Sequence, residues 1–332
     1  MCSICYGSLQ VAGRPQFYWK LTIRGEDHMQ PFVKTSAMTA KEIVSRLSLR
    51  EKIALMTPKA SLLETAWQAL ILRHYNKRPV RAGGNRRLGI PEIRFCDGPR
   101  GLVCSHATCF PVSIARAASF DPDLEEQIGD AIGKEVRAVG GNYFGGVCVN
   151  IPRHPAWGRS QETYGEDPFL AGSFGSALVR GITRHNVVAC VKHFALNSME
   201  NSRFKVDVTC SERTLREVYL PHFKKCIDAG AGSVMAAYNK FRGEHCCESK
   251  NLLTEILIDE WRFGGFTLSD FLWGIRDTLK AAAAGMDVEM PLARLYGKKL
   301  LAAVKAGSVD PLDIDRSAVR IVRTLLAAKR AQ

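Results

Sequence analysis

The sequence lacks the segments that direct a chain to a membrane or through one. No basic stretch followed by an apolar one stands at its N-terminus, as a secretory signal would require. The longest stretches without a formal charge, residues 101–115 and 138–152, are too short and too interrupted by proline or glycine to span a bilayer. We therefore expect no membrane association and a cytoplasmic location.

The sequence also lacks the paired cysteine spacing of a structural zinc site. It holds 11 cysteines, an odd number, but Cys2 and Cys5 form a lone C-x-x-C motif. Cys246 and Cys247 are adjacent and do not make a second such pair. Most other cysteines stand in or beside apolar segments, where a free thiol behaves as a small hydrophobic group. We expect reduced thiols and predict neither a metal nor a cofactor.

No nucleic-acid-binding motif accompanies the positive charge of the chain. There are 46 lysines and arginines against 33 aspartates and glutamates, a net charge of +13. These basic residues are scattered, and the densest group, at residues 73–87, lies in a loop predicted at residues 73–89. The charge is interpreted as a solvated surface rather than a polyanion site, so no nucleic-acid partner is predicted.

The length of 332 residues suits one large domain. A (β/α)₈ barrel needs about 250 residues, which leaves no room for a second domain of similar size. Residues 1–35 show no clear period and are treated as an N-terminal extension of uncertain order. Residues 36–332 are assigned to a single barrel domain.

A repeated unit of apolar strand, polar loop and capped helix runs through that domain. Capping boxes at Thr39 and Ser48, and cap residues at Asp121 and Ser211, predict four of the helix starts. This alternation predicts parallel βαβ units, and strands that are apolar throughout predict a sheet buried on both faces. The fold class is therefore α/β, a (β/α)₈ TIM-type barrel with one irregular βα unit allowed. An open doubly wound sheet is disfavoured because no G-x-G-x-x-G turn follows an early strand. The predicted strands are residues 90–96, 112–120, 144–151, 187–194, 233–238, 265–269 and 286–290.

Polar residues end or follow most of these strands, at the rim where barrel enzymes place their active sites. Each has a structural alternative, such as a turn, a salt bridge, aromatic packing or a helix cap. Their agreement in position favours a site that combines carboxylates, cations and an aromatic ring. The rim residues are Asp97, Arg159, Lys192, His193, Tyr238, Asp270 and Glu289.

Five segments that contain most of these rim residues resemble the motifs of glycoside hydrolase family 3, in the family's order and spacing. The similarity covers about residues 40–330 and is greatest to the β-glucosidase branch. The segments are RLGIPEIRFCDGPRG at 87–101, WGRSQETYGEDP at 157–168, VKHFALN at 191–197, SVMAAYN at 233–239 and LSDF at 268–271.

The resemblance implies a retaining exo-glycosidase acting on a terminal β-linked, glucose-like sugar of an oligosaccharide or glycoside. Asp270 matches the nucleophile, and Met235 matches a residue near the anomeric centre. The family's sugar-binding residues match Asp97, Arg159, Lys192, His193 and Tyr238. In such a pocket Asp97 would accept hydrogen bonds from two hydroxyls, while Lys192 and His193 would donate to one.

Two departures from the family concern the general acid and an aromatic contact. The β-glucosidase branch takes its acid from a second, C-terminal α/β domain, which is absent from this sequence, so a separate or missing partner domain is expected. In the single-domain β-N-acetylglucosaminidases a loop after the Lys-His pair carries a His-Asp dyad. Here that loop, residues 195–203, has Glu200 but no histidine. Glu200 remains a candidate acid beside a substrate-loop or structural role. Phe271 replaces the usual tryptophan, so either Phe271 or Trp273 would stack on the sugar.

Three other functions stay open at this point. The chain would be a sugar-binding barrel without turnover if no acid reaches the site. It would be a β-N-acetylglucosaminidase-like single-domain enzyme if the loop at 195–203 supplies the acid. A Schiff-base aldolase would use Lys192 as its nucleophile.

Overall fold

The computed structural model describes residues 37–60 and 77–330. The predicted N-terminal extension, residues 1–35, lies outside this part of the chain, and so do Cys2 and Cys5. The described residues form an α/β fold around one six-stranded sheet, in the order β1-β2-β3-β4-β6-β9. Its strands are β1 (Val80–Ala82), β2 (Ile93–Cys96), β3 (Tyr143–Cys148), β4 (Val188–Phe194), β6 (Ser233–Ala236) and β9 (Phe266–Ser269).

The strands from β2 to β9 in this sheet run parallel, and β1 is an antiparallel edge strand beside β2. Every residue of β3, β4, β6 and β9 is buried, as apolar strands covered on both faces require. The carboxyl ends of the parallel strands therefore meet at one rim of a curled sheet that has the form of a half-barrel. A second, small sheet of three two-residue strands packs beside the rim; these are β5 (Asp207–Val208), β7 (Lys240–Phe241) and β8 (Glu244–His245).

Helices connect the strands and cover the outside of the sheet. Two further segments, Leu215–Tyr219 and Asn251–Glu260, are π-helical, and two short 3₁₀ turns cover Ser160–Glu162 and Cys246–Glu248. No helix within the described ranges is long and apolar enough to cross a membrane. The α-helices are α1 (Ala37–Ser45), α2 (Leu49–Leu55), α3 (Ser113–Ala117), α4 (Pro122–Ala138), α5 (Pro168–Thr183), α6 (Glu212–Thr214), α7 (Pro221–Asp228), α8 (Thr278–Ala284), α9 (Lys298–Lys305) and α10 (Pro311–Arg330).

Most of the predicted helix starts are confirmed by their caps. The Asp121 side chain accepts from two backbone N–H groups at the start of α4, with proline at the first turn. Ser211 caps α6. Ser48 and Glu51 form the predicted reciprocal capping box at α2. The capping box expected at Thr39 is wrong, because α1 has already begun at Ala37.

Three predictions about strands need correction. The apolar run at 112–120, predicted as a strand, instead contains helix α3, Ser113–Ala117. The region predicted as a loop at 73–89 contains β1. Residues 286–290, predicted as a strand, make only one isolated parallel bridge, between Leu268 and Val288. Five parallel strands and one antiparallel strand thus form the main sheet, where a (β/α)₈ barrel with one irregular βα unit allowed was expected.

Short backbone contacts continue beyond both edges of the sheet. Beyond β9, the N–H of Glu289 donates to the carbonyl of Met56. Beyond β1, Pro58 forms an antiparallel bridge with Ala82. The segment that follows α2 therefore contacts edge strand β1 on one side and, on the other, the segment at 286–290 that bridges to β9.

Candidate active site

Asp270 ends strand β9, and its carboxylate is only half satisfied. Oδ1 accepts a hydrogen bond of 2.8 Å from the backbone N–H of Phe271. Oδ2 is buried and has no hydrogen-bond partner among the described residues. Burial raises the pKa of Asp270 to about 6, against the opposing effect of the Arg159 charge. The residue is 6% exposed, so this is a buried carboxylate with one free oxygen.

Lys192 and Asp97 lie at the ends of β4 and β2 and form an ion pair. The Nζ of Lys192 is 2.8 Å from Oδ1 of Asp97. Burial acts to lower the pKa of Lys192, but the Asp97 carboxylate raises it above its ordinary value. The lysine is therefore an ammonium ion, which does not suit the amine nucleophile of an aldolase.

Asp97 begins a turn that requires glycine at the next position, residue 98. Its Oδ1 also accepts from the N–H of Gly98 at 2.9 Å. Gly98 has a φ of +133°, and a Cβ atom there would lie 1.9 Å from the carbonyl oxygen of Gly101. Both conditions exclude an L side chain, so the turn that presents this N–H to the Asp97 carboxylate requires glycine.

His193 is held from one side by Asn150 and faces Asp270 on the other. Its Nε2 lies 3.7 Å from Oδ2 of Asp270. Its Nδ1 lies 3.0 Å from Oδ1 of Asn150, and its backbone makes two further hydrogen bonds to the same amide. Burial, followed by the positive charges of Arg159 and Lys192, lowers the pKa of His193 well below its ordinary value. The ring is therefore neutral.

Arg159 lies in the loop after β3 and is oriented by a carboxylate. Its guanidinium makes two hydrogen bonds to Glu162, of 3.1 and 2.8 Å. This is a bidentate pair that fixes the plane of the guanidinium. Because Arg159 also acts on the pKa of Asp270, it lies within electrostatic reach of the nucleophile candidate.

Tyr238 and Met235 belong to the segment of β6 and its exit loop. Met235 is buried within the strand. The Tyr238 hydroxyl donates a 2.6 Å hydrogen bond to the carbonyl of Phe271, which ties this ring to the residue after Asp270. The Tyr238 ring also contacts Phe204 edge-on and lies under the guanidinium of Arg203. The hydrogen bond and the two ring contacts together fix the position of the Tyr238 ring.

The two aromatic candidates for sugar stacking differ in their surroundings. Phe271 is partly buried and packs on Phe95 of strand β2, with ring centroids 5.0 Å apart. Trp273 is 43% exposed and lies under the guanidinium of Arg294, 4.0 Å from its ring centroid. Trp273 is thus the more exposed of the two rings, and Phe271 is engaged in packing on the sheet.

Two further carboxylates predicted near the rim are engaged elsewhere. Glu200 forms an ion pair of 2.6 Å with Arg203 and accepts from the indole N–H of Trp157 at 3.3 Å. Glu289 accepts from three successive backbone N–H groups at residues 294–296. Glu289 therefore organises a loop, which is the structural alternative to a place in the pocket.

One residue of the site was missed by the sequence analysis. Asn150 is buried and makes three hydrogen bonds to His193, yet it was not among the candidates. It follows the buried strand β3 by two residues, but the strand was predicted to run to residue 151, so Asn150 was placed within the strand and not at its end.

This chain is similar to known proteins over most of its described length. The family model described as glycosyl hydrolase family 3 N terminal domain matches residues 40–324. A thermostable beta-glucosidase B of Acetivibrio thermocellus is 36% identical over 308 residues, covering 88% of this chain. A beta-glucosidase of Rhizobium radiobacter is 40% identical over 248 residues, covering 72% of this chain.

Solved structures give the same picture. Beta-glucosidase 3B of Thermotoga neapolitana, in complex with alpha-D-glucose, superposes with a TM-score of 0.80 at 32% identity over 88% of the chain. DesR, a beta-glucosidase of Streptomyces venezuelae in complex with D-glucose, gives 0.79 at 33% identity over 87%. This chain spans 38% and 30% of the two curated relatives and 43% and 37% of the two solved chains.

Proposed function

The chain belongs to glycosyl hydrolase family 3, and we propose that it carries the nucleophile and sugar pocket of an exo-acting, retaining β-glucosidase. The substrate class is a β-linked oligosaccharide or glycoside with a terminal glucose-like sugar. The observation that carries the proposal is the free Oδ2 of Asp270, buried at the strand rim and facing His193.

In the proposed reaction, Oδ2 of Asp270 attacks the anomeric carbon as the bond to the leaving oxygen breaks. The leaving group takes a proton from a general acid, and a covalent glycosyl-enzyme forms on Asp270. A water molecule then attacks the same carbon, giving its proton to the former acid and releasing Asp270. The attacking carboxylate must be ionised, and a pKa of about 6 keeps most of it so at neutral pH.

The surrounding polar groups are proposed to hold the terminal sugar. Asp97 is proposed to accept hydrogen bonds from two hydroxyls, and Lys192 and Arg159 supply donors with full positive charge. Buried charged partners of this kind reject a sugar with a missing hydroxyl, because they would be left unpaired. Tyr238 and Met235 shape the wall beside Asp270, and Trp273 covers the sugar or its leaving group.

We propose that the general acid comes from outside this sequence, in a second domain or a separate chain. Glu200 is ion-paired to Arg203 and accepts from the indole N–H of Trp157, so both of its carboxylate oxygens already have partners. The chain's 29–38% share of its relatives' lengths leaves ample room for such a domain in a longer protein.

We also propose that the half-barrel is closed into a full barrel by two segments without regular ladders. Residues 286–290 bridge to β9 through Val288 and bond to Met56, and residues 57–59 contact β1. Together with the six strands of the main sheet, the two segments would complete a closed barrel of eight backbone segments around the core.

The proposal is tested with a 2-fluoro aryl β-glucoside bearing an activated leaving group. A good leaving group needs little help from an acid, so a chain without the acid still forms the adduct slowly. We expect one sugar to attach at Asp270 and no adduct in Asp270→Ala, as read by peptide mass spectrometry. An adduct on another residue, or none, contradicts the assignment. A sugar-binding barrel without turnover would be favoured if no adduct forms but the chain still binds a monosaccharide, and if Asp97→Ala abolishes that binding.

A further inference from the structure

Asn150 grips the backbone and the ring of His193 with one amide group. Its Oδ1 accepts from the His193 backbone N–H at 2.7 Å, and its Nδ2 donates to the His193 carbonyl at 2.9 Å. A backbone N–H only donates and a carbonyl only accepts, so these two bonds fix which end of the amide is oxygen. The amide cannot be turned over without losing both.

The third contact then fixes the proton on the ring. Nδ1 of His193 lies 3.0 Å from the same Oδ1, which is an acceptor. An unprotonated Nδ1 would set two acceptors against each other at hydrogen-bond distance, so Nδ1 must carry the proton. The Cys148 thiol, 3.8 Å from Oδ1 and 3.9 Å from Nδ1, makes only weak contacts with this pair.

The neutral ring therefore presents a lone pair, not a proton, at Nε2. That lone pair faces Oδ2 of Asp270 at 3.7 Å, too far for a direct hydrogen bond. Oδ2 of Asp270 has no hydrogen-bond donor among the described residues, and a lone pair at Nε2 does not supply one, so a bound group that donates hydrogen suits this pair of acceptors. The expectation that His193 donates to a sugar hydroxyl is thereby reversed.

We propose that Asn150 is a positioning residue that locks His193 in the Nδ1–H form, so that Nε2 accepts a hydrogen bond from a sugar hydroxyl. The inference rests on the proposed function for the identity of the ligand, but the locked ring form is a property of the free protein. The pocket would then select its sugar by the ability of one hydroxyl to donate.

The ring form is tested by NMR on the chain labelled with ¹⁵N-histidine. The protonated and unprotonated ring nitrogens resonate in separate ranges, and the His193 signals are identified by their loss in His193→Leu. We expect Nδ1–H in the wild type and in Asn150→Asp, which keeps the acceptor, and Nε2–H in Asn150→Ala. A wild-type Nε2–H form overturns the proposal, and so does Asn150→Ala with an unchanged ring.

Asn142, which lies just before β3 while Asn150 lies just after it, supplies a matched control. Its Oδ1 accepts from the Arg94 N–H and its Nδ2 donates to the Glu92 carbonyl, both at 2.8 Å, with no ring involved. Asn142→Ala removes a similar backbone clamp and should leave the His193 spectrum as in the wild type. If Asn150→Ala does not fold, the wild-type and Asn150→Asp spectra still decide the question.

The acceptor role is tested with glucose and its monodeoxy and monodeoxyfluoro analogues, by calorimetric titration. Fluorine accepts weakly and never donates. At one ring position we expect both analogues to bind about tenfold more weakly than glucose, and this difference to vanish in His193→Leu. A fluoro analogue that binds like glucose at that position contradicts the acceptor role. If glucose itself does not bind, the proposed function fails while the NMR result on Asn150 stands.

Discussion

The ammonium group of Lys192 lies 2.8 Å from the carboxylate of Asp97, so an ion pair joins the ends of strands β4 and β2. The lysine side chain is 4% exposed and the aspartate 23%. The same two groups are proposed to bind the sugar. Stability and substrate binding are therefore coupled at this rim, because each charge depends on the other when the pocket is empty.

Replacement of Asp97 by alanine should weaken both properties at once. The change leaves the Lys192 charge buried without its partner, and we expect a loss of about 1–3 kcal/mol in the free energy of unfolding. Monosaccharide affinity should fall at least about a hundredfold, as measured by calorimetry. The exposed pair of Lys224 and Asp228 provides the control, since Asp228→Ala should cost less than about 1 kcal/mol. Unchanged sugar binding in Asp97→Ala would rule out its role in the pocket.

The activity should fall in acid with the titration of Asp270. Only the ionised carboxylate attacks, and its pKa is raised to about 6 by burial. We therefore expect kcat/KM for an activated aryl β-glucoside to decline about tenfold per pH unit below pH 6. The Arg159 charge lowers this pKa, so Arg159→Met should move the acid limb to higher pH. A profile that stays flat down to pH 5 would show that Asp270 is not the titrating group.

Replacement of Asp270 by asparagine should stabilise the protein at neutral pH while it removes turnover. The folded pKa of about 6 lies above the ordinary 3.8, so the folded state holds its proton more tightly than the unfolded state. The wild type therefore loses stability as pH rises from about 4 to 6, and the loss persists above 6. We expect Asp270→Asn to be more stable by about 2 kcal/mol at pH 7 and to show no such advantage near pH 4. Chemical denaturation at the two pH values measures this, and equal differences at both would contradict the buried-charge explanation.

Replacement of Glu200 by glutamine should leave the turnover of aryl glycosides within about tenfold of the wild type. The Glu200 carboxylate is occupied by Arg203 and Trp157, so its loss should lower the melting temperature rather than abolish proton transfer. Glu217→Gln, which removes an exposed partner of Arg213, is the matched control. A large loss that grows with poorer leaving groups and is rescued by azide would instead identify Glu200 as the acid.

The parts of the fold that depend on local chemistry could be predicted from the sequence. The caps at Ser48, Asp121 and Ser211 bind backbone groups only a few residues away, so the local sequence is enough to predict them. The apolar run at 112–120 misled the prediction because apolarity alone does not separate a short strand from a buried helix. Strand β1 was missed because it is a strand through its antiparallel pairing with β2, and the local sequence does not show that pairing.

The candidate site, like the fold, could be predicted only in part. Position after a strand was enough to select Asp97, Lys192 and Asp270, because parallel strands end at a common rim. Which partner each group takes could not be predicted. The pairing of Glu200 with Arg203 and the grip of Asn150 on His193 depend on how loops fold over the rim.

The turn at Gly98 limits how this pocket can be altered. Any L side chain there would collide with the Gly101 carbonyl oxygen. Because this oxygen belongs to the backbone, it cannot move aside as a flexible side chain could. Mutant libraries that randomise residues around Asp97 should therefore return glycine at 98 in every folded clone. Changes in sugar preference will have to arise on the walls supplied by the other strands, with the Asp97 turn as the fixed point of the design.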